Sequence, residues 1–174
     1  MSTFLEVISI LGELGVFAPR YPNETEFEEA VWAKLRRWCK ETHPGWSISK
    51  VLLTSHKKRR DGRSKEEWQR FMDTADGPDV RLMAGDHRVD IVLRPPNEGT
   101  IGIEIKALSS NQKYRHEQLL KGLGQATLSL AKRQQALLVV HGGSLDKEER
   151  QNLREIARKI TRNSRIGLLV VPNP

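Results

Sequence analysis

Arg88-Val89-Asp90-Ile91-Val92-Leu93-Arg94, then the turn Pro95-Pro96-Asn97-Glu98-Gly99, then Ile101-Gly102-Ile103-Glu104-Ile105-Lys106, is the stretch whose reading decides the fold. Both arms alternate, with Val89, Ile91 and Leu93 on one face of the first and Ile101, Ile103 and Ile105 on one face of the second, the period-2 pattern of half-buried strands. The opposite face carries Asp90, Glu104 and Lys106. A slip of one residue would turn a whole apolar row to the wrong side, so only pairings whose residue numbers sum to an even value keep the rows together. A sum of 194 sets Ile91 against Ile103, Val89 against Ile105 and Asp90 against Glu104. Facing Cβ atoms in such pairs lie roughly 5 Å apart, and two carboxylates about 4 Å apart repel by about 4 kcal/mol at an effective dielectric of about 20. A cation is expected there. Lys106, roughly 7 Å along the strand from Glu104, supplies one positive charge, and a divalent ion with oxygen ligands would supply the rest.

Two acids and an ammonium around a metal ion form equipment for attack on a phosphodiester: the metal generates hydroxide and stabilises developing charge, and the lysine orients the nucleophile or neutralises the transition state. At these residues the chain resembles the PD-(D/E)XK nuclease superfamily. Asp90 matches the acidic motif, with Val89 where the name-giving proline would stand, and Glu104-Ile105-Lys106 matches E-x-K. The resemblance covers roughly residues 24 to 141. It implies an α/β fold with a restriction-endonuclease-like αβββαβ core: a mixed central sheet flanked by helices, with the acidic motif on the second strand and E-x-K on the third. It also implies Asp90, Glu104 and the Ile105 carbonyl as ligands of Mg²⁺ or Mn²⁺. Gly124-Gln125-Ala126-Thr127-Leu128 looks like the family's helical glutamine element, which gives Gln125 a catalytic positioning role. Glu28-x-x-Val31-x-x-x-Leu35 fits the glutamate of the first helix as a further metal ligand, and Glu24-x-x-Phe27-x-x-x-Val31 fits as well. The implied activity is metal-dependent hydrolysis of nucleic acid, DNA for preference, by an endonuclease or exonuclease.

Charge agrees with a polyanionic partner. Lys and Arg total 29 against 22 acidic residues, a net charge of +7, which favours phosphate without demanding it. A second basic feature is the run His56 to Arg63, where Lys57, Lys58, Arg59, Arg60 and Arg63 could follow a phosphate backbone, held by a short helix after Ser64-x-x-Glu67. Pro78-Asp79 is a literal match to the first half of the family name, but it lies one strand early, and Asp79 reads as a turn cap.

The 174 residues suit one domain over 1–174, with an N-terminal helix in 1–18 and a basic insertion at 56–77. In the N-terminal helix, Thr3-x-x-Glu6 resembles a capping box, and Leu5, Ile8, Leu11 and Leu14 recur at helical spacing; it is expected to dock on the body or on a second subunit, which leaves a homodimer open. Helices are expected over Glu24–Lys40 (burying Phe27, Val31, Leu35 and Trp38), Asn111–Arg133 (burying Leu119, Leu123, Ala126 and Leu130) and Asp146–Arg162 (amphipathic, with Leu153, Ile156 and Ile160 as its apolar residues). Strands are expected over Ser47–Thr54, Val80–Ala84 before a Gly85-Asp86 turn, Ala136–His141 and Arg165–Val171. In the second of those helices Lys113, Arg115 and Lys121 are candidates to face phosphate. The lone Cys39 cannot form an internal disulfide and reads as a packed thiol, so the cytoplasm is the default compartment. No membrane partner is expected, since no apolar run reaches the roughly 20 residues of a bilayer span. The dispersed histidines lack zinc spacing, and neither a Gly-Lys-Ser/Thr phosphate loop nor a nucleophile elbow is present. Two other readings remain in play: a nucleic-acid-binding or scaffold module that keeps the nuclease fold but does not cut, and a protein-interaction domain that uses its apolar first helix.

Overall fold

The computed structural model describes residues 2–14, 21, 23–54, 80–82, 85–87, 89–143, 145–163 and 165–171. The basic run with Lys57, Lys58, Arg59, Arg60 and Arg63, the insertion 56–77 around it and Asp79 lie outside the described residues. In chain order the elements are α1 (Thr3–Gly12), α2 (Glu24–Thr42), a single helical turn α3 (Ile48–Val51), β1 (Leu52–Thr54), β2 (Val80–Leu82), β3 (Gly85–His87), β4 (Ile91–Leu93), β5 (Ile101–Ala107), α4 (Gln112–Ser129), β6 (Gln135–His141), α5 (Lys147–Asn163) and β7 (Ile166–Val171). The chain is α/β. Five strands form one mixed sheet in the order β1-β4-β5-β6-β7, and β2 and β3 pair as a separate antiparallel ribbon.

The central hairpin keeps the expected register where it is laddered: Ile91 faces Ile103, Val92 faces Gly102 and Leu93 faces Ile101. β1 and β4 are antiparallel, and β5, β6 and β7 run parallel. The sheet therefore changes character at β5, the strand that carries E-x-K. Parallel crossovers put helices on both faces. On one side Ile101, Ile103 and Ile105 pack with Val7 and Leu11 of α1 and with Phe27, Val31 and Leu35 of α2. On the other, Leu138, Val140, Leu168 and Val170 pack with Ala126 of α4 and with Leu153 and Ala157 of α5.

Helix α2 follows its amphipathic stripe. The Asn23 side chain caps it by accepting from the Glu26 amide at 2.9 Å, and Phe27, Val31, Leu35 and Trp38 are all buried. Cys39 is buried beside them, and burial pushes its thiol up to about 12, as befits a packed sulfur. Helix α1 docks on α2 and β7, where Gly167 admits it closely: a Cβ there would stand 2.9 Å from the Phe4 ring.

Six local expectations are corrected, the first in α5, where Leu153 is buried but Ile156 is exposed. Helix α1 packs Leu11, Ile8 and Leu14 of the expected row against the core, but leaves Leu5 exposed and buries Phe4 and Val7 beside them, because its seat between α2 and β7 covers a wider arc centred away from Leu5. Thr3 is the first helical residue rather than a cap, and its hydroxyl donates to Glu98 in the β4–β5 turn at 2.8 Å. Ile48–Val51 is helical, so the first strand starts only at Leu52. Gly85 and Asp86 pair with Leu82 and Arg81 inside the β2–β3 ribbon rather than forming its turn. Helix α4 stops at Ser129, short of Arg133.

Candidate active site

Asp90 sits at a bend immediately before β4, and that bend changes the geometry the alternation implied. Val89 packs with Leu53 and Val92, not with Ile91 and Leu93. The ladder starts at Ile91, so the Asp90 carboxylate is released from a cross-strand position and accepts the Ile105 amide at 2.8 Å. A side-chain oxygen thus replaces the carbonyl that a continued β4 would have offered. The carboxylate is fixed against the E-x-K strand by the backbone of its middle residue.

Glu104 and Lys106 share a face of β5, but that face is not the solvated one the alternation suggested. Helix α4 covers it, and Glu104 is 1% exposed and Lys106 7%. Coverage depends on Gly122: a Cβ there would lie 2.9 Å from Lys106 Cγ and 2.9 Å from a Leu138 methyl. Under this lid the Lys106 ammonium donates to Glu104 Oε1 at 2.8 Å and to the Ile105 carbonyl at 2.9 Å. Its third neighbour is Glu24, whose Oε1 is 3.5 Å away, while Glu24 Oε2 accepts from the Ala107 amide at 3.4 Å.

Of the two glutamates on the same stripe of α2, Glu24 contacts the lysine. Glu28, one turn further in, is buried in the body. Gln125 lies on α4 three residues past Gly122, which puts it on the side of the helix turned to the sheet, and its buried Oε1 has no hydrogen-bond partner among the described residues. Arg115, a candidate phosphate contact, is instead tied into the fold by Nη1, which donates to both Glu149 carboxylate oxygens (2.9 and 2.7 Å), and by bonds from Nε and Nη2 to the Ser109 and Ser110 carbonyls.

The electrostatics follow from burial. Loss of solvent and then the Asp90 charge push the Glu104 carboxyl up to about 8, with Glu24 adding a smaller push; the Lys106 ammonium opposes this without cancelling it. Burial alone would lower the Lys106 pKa, but Glu104, Asp90 and Glu24 together outweigh it and hold the ammonium above its ordinary value. The cluster therefore carries more negative charge than one ammonium neutralises. Glu104 Oε2 is buried with no hydrogen-bond partner among the described residues, a state that costs about 1–3 kcal/mol for a neutral group and more for a charged one.

Those features are the test of whether a divalent cation suits the site. An orphaned buried carboxylate oxygen, a second carboxylate close enough to raise its pKa and all-oxygen donors fit Mg²⁺ or Mn²⁺. No three His, Cys, Asp or Glu side chains among the described residues form a ready metal cage, so water or a substrate phosphate would have to complete the shell, as is usual for Mg²⁺.

Beside the cluster a cavity of about 730 Å³ opens at the carboxyl ends of β5 and β6, lined by Ala107, Ser109, Tyr21, Asn23, His141 and Asp146 among others. It adjoins the cluster through Ala107 and Asn23, the chain neighbours of Lys106 and Glu24. The ends of parallel strands are where open α/β sheets bind ligands, and the sequence signal was the polar His141 closing an otherwise apolar strand. His141 packs edge-on to Tyr21 and tilted against Phe27, and burial, aided by the Arg150 charge, lowers its pKa.

Comparison of the chain with protein-family models, with curated proteins and with solved structures yields no match. No helix among the described residues is long and apolar enough to cross a membrane.

Proposed function

We propose that this chain is a divalent-metal-dependent nuclease of the PD-(D/E)XK type, hydrolysing phosphodiester bonds of nucleic acid, with DNA as its substrate. The observation that carries the proposal is the buried Glu104: its unpartnered oxygen, its raised pKa and its place between Asp90 and Lys106 make an anionic pocket that a divalent cation would complete. The order α2, three antiparallel strands β1, β4 and β5, α4 and β6 supports the restriction-endonuclease-like assignment.

In this reading Asp90 and Glu104 hold Mg²⁺ or Mn²⁺, with the Ile105 carbonyl as an added oxygen. Bound there, the ion would supply a hydroxide nucleophile and neutralise charge on the phosphate. Lys106 keeps its proton across the neutral range and brings a fixed positive charge to the attacking water or to the phosphate oxygens. Glu24 steadies that ammonium from the exposed side, and Gln125 would offer its amide to the nucleophile or the phosphate. The lid of α4 excludes water, which strengthens each of these interactions.

One observation favours a second reading, a non-catalytic nucleic-acid-binding or scaffold module with the same fold: the Lys106 ammonium already occupies Glu104 Oε1 and the Ile105 carbonyl, two of the oxygens a metal would use. Mn²⁺ titration calorimetry on wild type, Asp90→Asn and Glu104→Gln, with cleavage of supercoiled and linear DNA followed in parallel, separates the two. Asparagine keeps the acceptor for the Ile105 amide, so the fold is spared. Metal binding and cleavage lost together in both variants support the nuclease; DNA binding without any Mn²⁺ heat in wild type removes it.

A further inference from the structure

Four arginines of α5 stand four residues apart: Arg150, Arg154, Arg158 and Arg162. At about 100° and 1.5 Å per residue, this spacing winds slowly around the helix, so the four occupy a sector about 120° wide and span roughly 18 Å. Lys147 falls in the same sector. Of the acidic residues of the helix, Glu148 and Glu155 border the sector, about 20–40° beyond Arg162, and Glu149 lies well away from it. Like charges at this spacing repel within a helix, and the crowding is visible in Arg154, whose pKa is lowered by burial and then by Arg150 and Arg158.

The stripe also has a shape. A groove of about 270 Å³ runs between α5, β7 and α1, with Arg154, Arg158 and Arg162 at its border beside Ile8 and Leu168. Arg150 is anchored by donating to the Leu145 carbonyl at 3.0 Å. Arg158 and Arg162 are exposed, and neither forms an ion pair among the described residues.

We infer that this arginine stripe is a binding surface for the phosphate backbone of a nucleic acid, separate from the cluster around Glu104. Guanidinium forks suit phosphate oxygens, and roughly 18 Å of helix matches about five nucleotide steps at about 3.4 Å each. An anionic membrane is a poorer match. The exposed apolar residue of α5, Ile156, points away from the stripe, whereas a helix lying on lipid carries its apolar face between the flanking cations. The inference shares with the nuclease reading the identity of the partner, but it concerns binding without metal and is tested as such.

The test is fluorescence anisotropy of the full chain with a labelled 20-base-pair duplex in EDTA, over a range of salt concentrations. Arg158→Ala/Arg162→Ala should weaken binding roughly ten- to thirtyfold near 0.15 M salt and reduce the slope of log affinity against log salt by about 1.8, the share of two phosphate contacts. Arg36→Ala/Arg37→Ala on α2 removes the same charge elsewhere and should change affinity no more than about twofold. Equal losses in both double variants, or no loss in the α5 variant, overturn the inference, as does binding of that variant that fails only on phosphatidylserine vesicles. Cleavage with Mg²⁺ is scored separately. Stripe-dependent binding by a chain that does not cut sustains this inference while removing the nuclease, and cutting with stripe-independent affinity does the reverse.

Discussion

Replacing Glu104 by glutamine should change how the stability of the protein depends on pH. A carboxyl whose pKa rises from an ordinary 4.5 to about 8 on folding holds its proton more tightly in the folded state. Between those two values the native chain binds more protons than the unfolded chain, so stability falls as pH rises, by about 1.4 kcal/mol per pH unit. Summed from pH 4.5 to 8, the loss is about 4 kcal/mol, a large share of the 5–15 kcal/mol that holds a typical domain together. Glutamine has nearly the same shape, still accepts from the Lys106 ammonium, and cannot ionise. Urea unfolding at pH 5, 6.5 and 8 should show wild type weakening steadily while Glu104→Gln stays nearly level, with the variant the more stable protein at pH 8. Adding millimolar Mn²⁺ at pH 8 should recover wild type and leave the variant unmoved, since an ion that needs the ionised carboxylate pulls its proton off. Parallel pH curves for the two proteins would refute the argument, because they would mean that the Lys106 charge compensates Glu104 fully and that the pocket is not short of a cation.

Lys106→Ala should lower cleavage at least a hundredfold while duplex binding measured in EDTA is kept; cleavage at the wild-type rate by a folded variant would exclude the lysine from the chemistry. Glu24→Gln should weaken Mn²⁺ binding in calorimetry, because Glu24 contacts Lys106 and its charge bears on Glu104; its own ion pair is half exposed and contributes under about 1 kcal/mol to stability. Gly122→Ala should destabilise by about 1–2 kcal/mol in thermal or urea unfolding despite alanine's better helix propensity, since its methyl lands 2.9 Å from both Lys106 Cγ and Leu138 Cδ1, and the shifted α4 should lower activity as well.

The parts of this molecule that were legible in its sequence are those set by one element and one neighbour. The register of Ile91 on Ile103 follows from two apolar rows that must share a face, and the stripe Phe27, Val31, Leu35, Trp38 follows from a helix with a single buried side. What escaped involves three bodies at once. Alternation marks one face of β5 as polar, but whether water or a helix covers it depends on the crossover from β5 to β6, and α4 turns a solvated-looking Glu104 into a buried one. Glu24 and Glu28 share a stripe, and the contact of Glu24 with Lys106 follows from where the first turn of α2 falls against Ala107, a distance with no local signature. The bend at Asp90 was hidden because Val89 is apolar either way: it meets Leu53 and Val92 instead of Ile91, and the pattern of letters is the same. Leu5 failed for a like reason, since α1 is apolar on more than one side and its seat on β7 made the selection.

β5 is the central strand of the five, bonded to an antiparallel neighbour on one edge and a parallel one on the other, so neither of its sides is a free rim. Its polar pair is thus carried on backbone that is laddered on both sides. Opening of the outer strands β1 and β7 is therefore expected to leave Glu104 in contact with Lys106 for as long as the middle of the sheet holds.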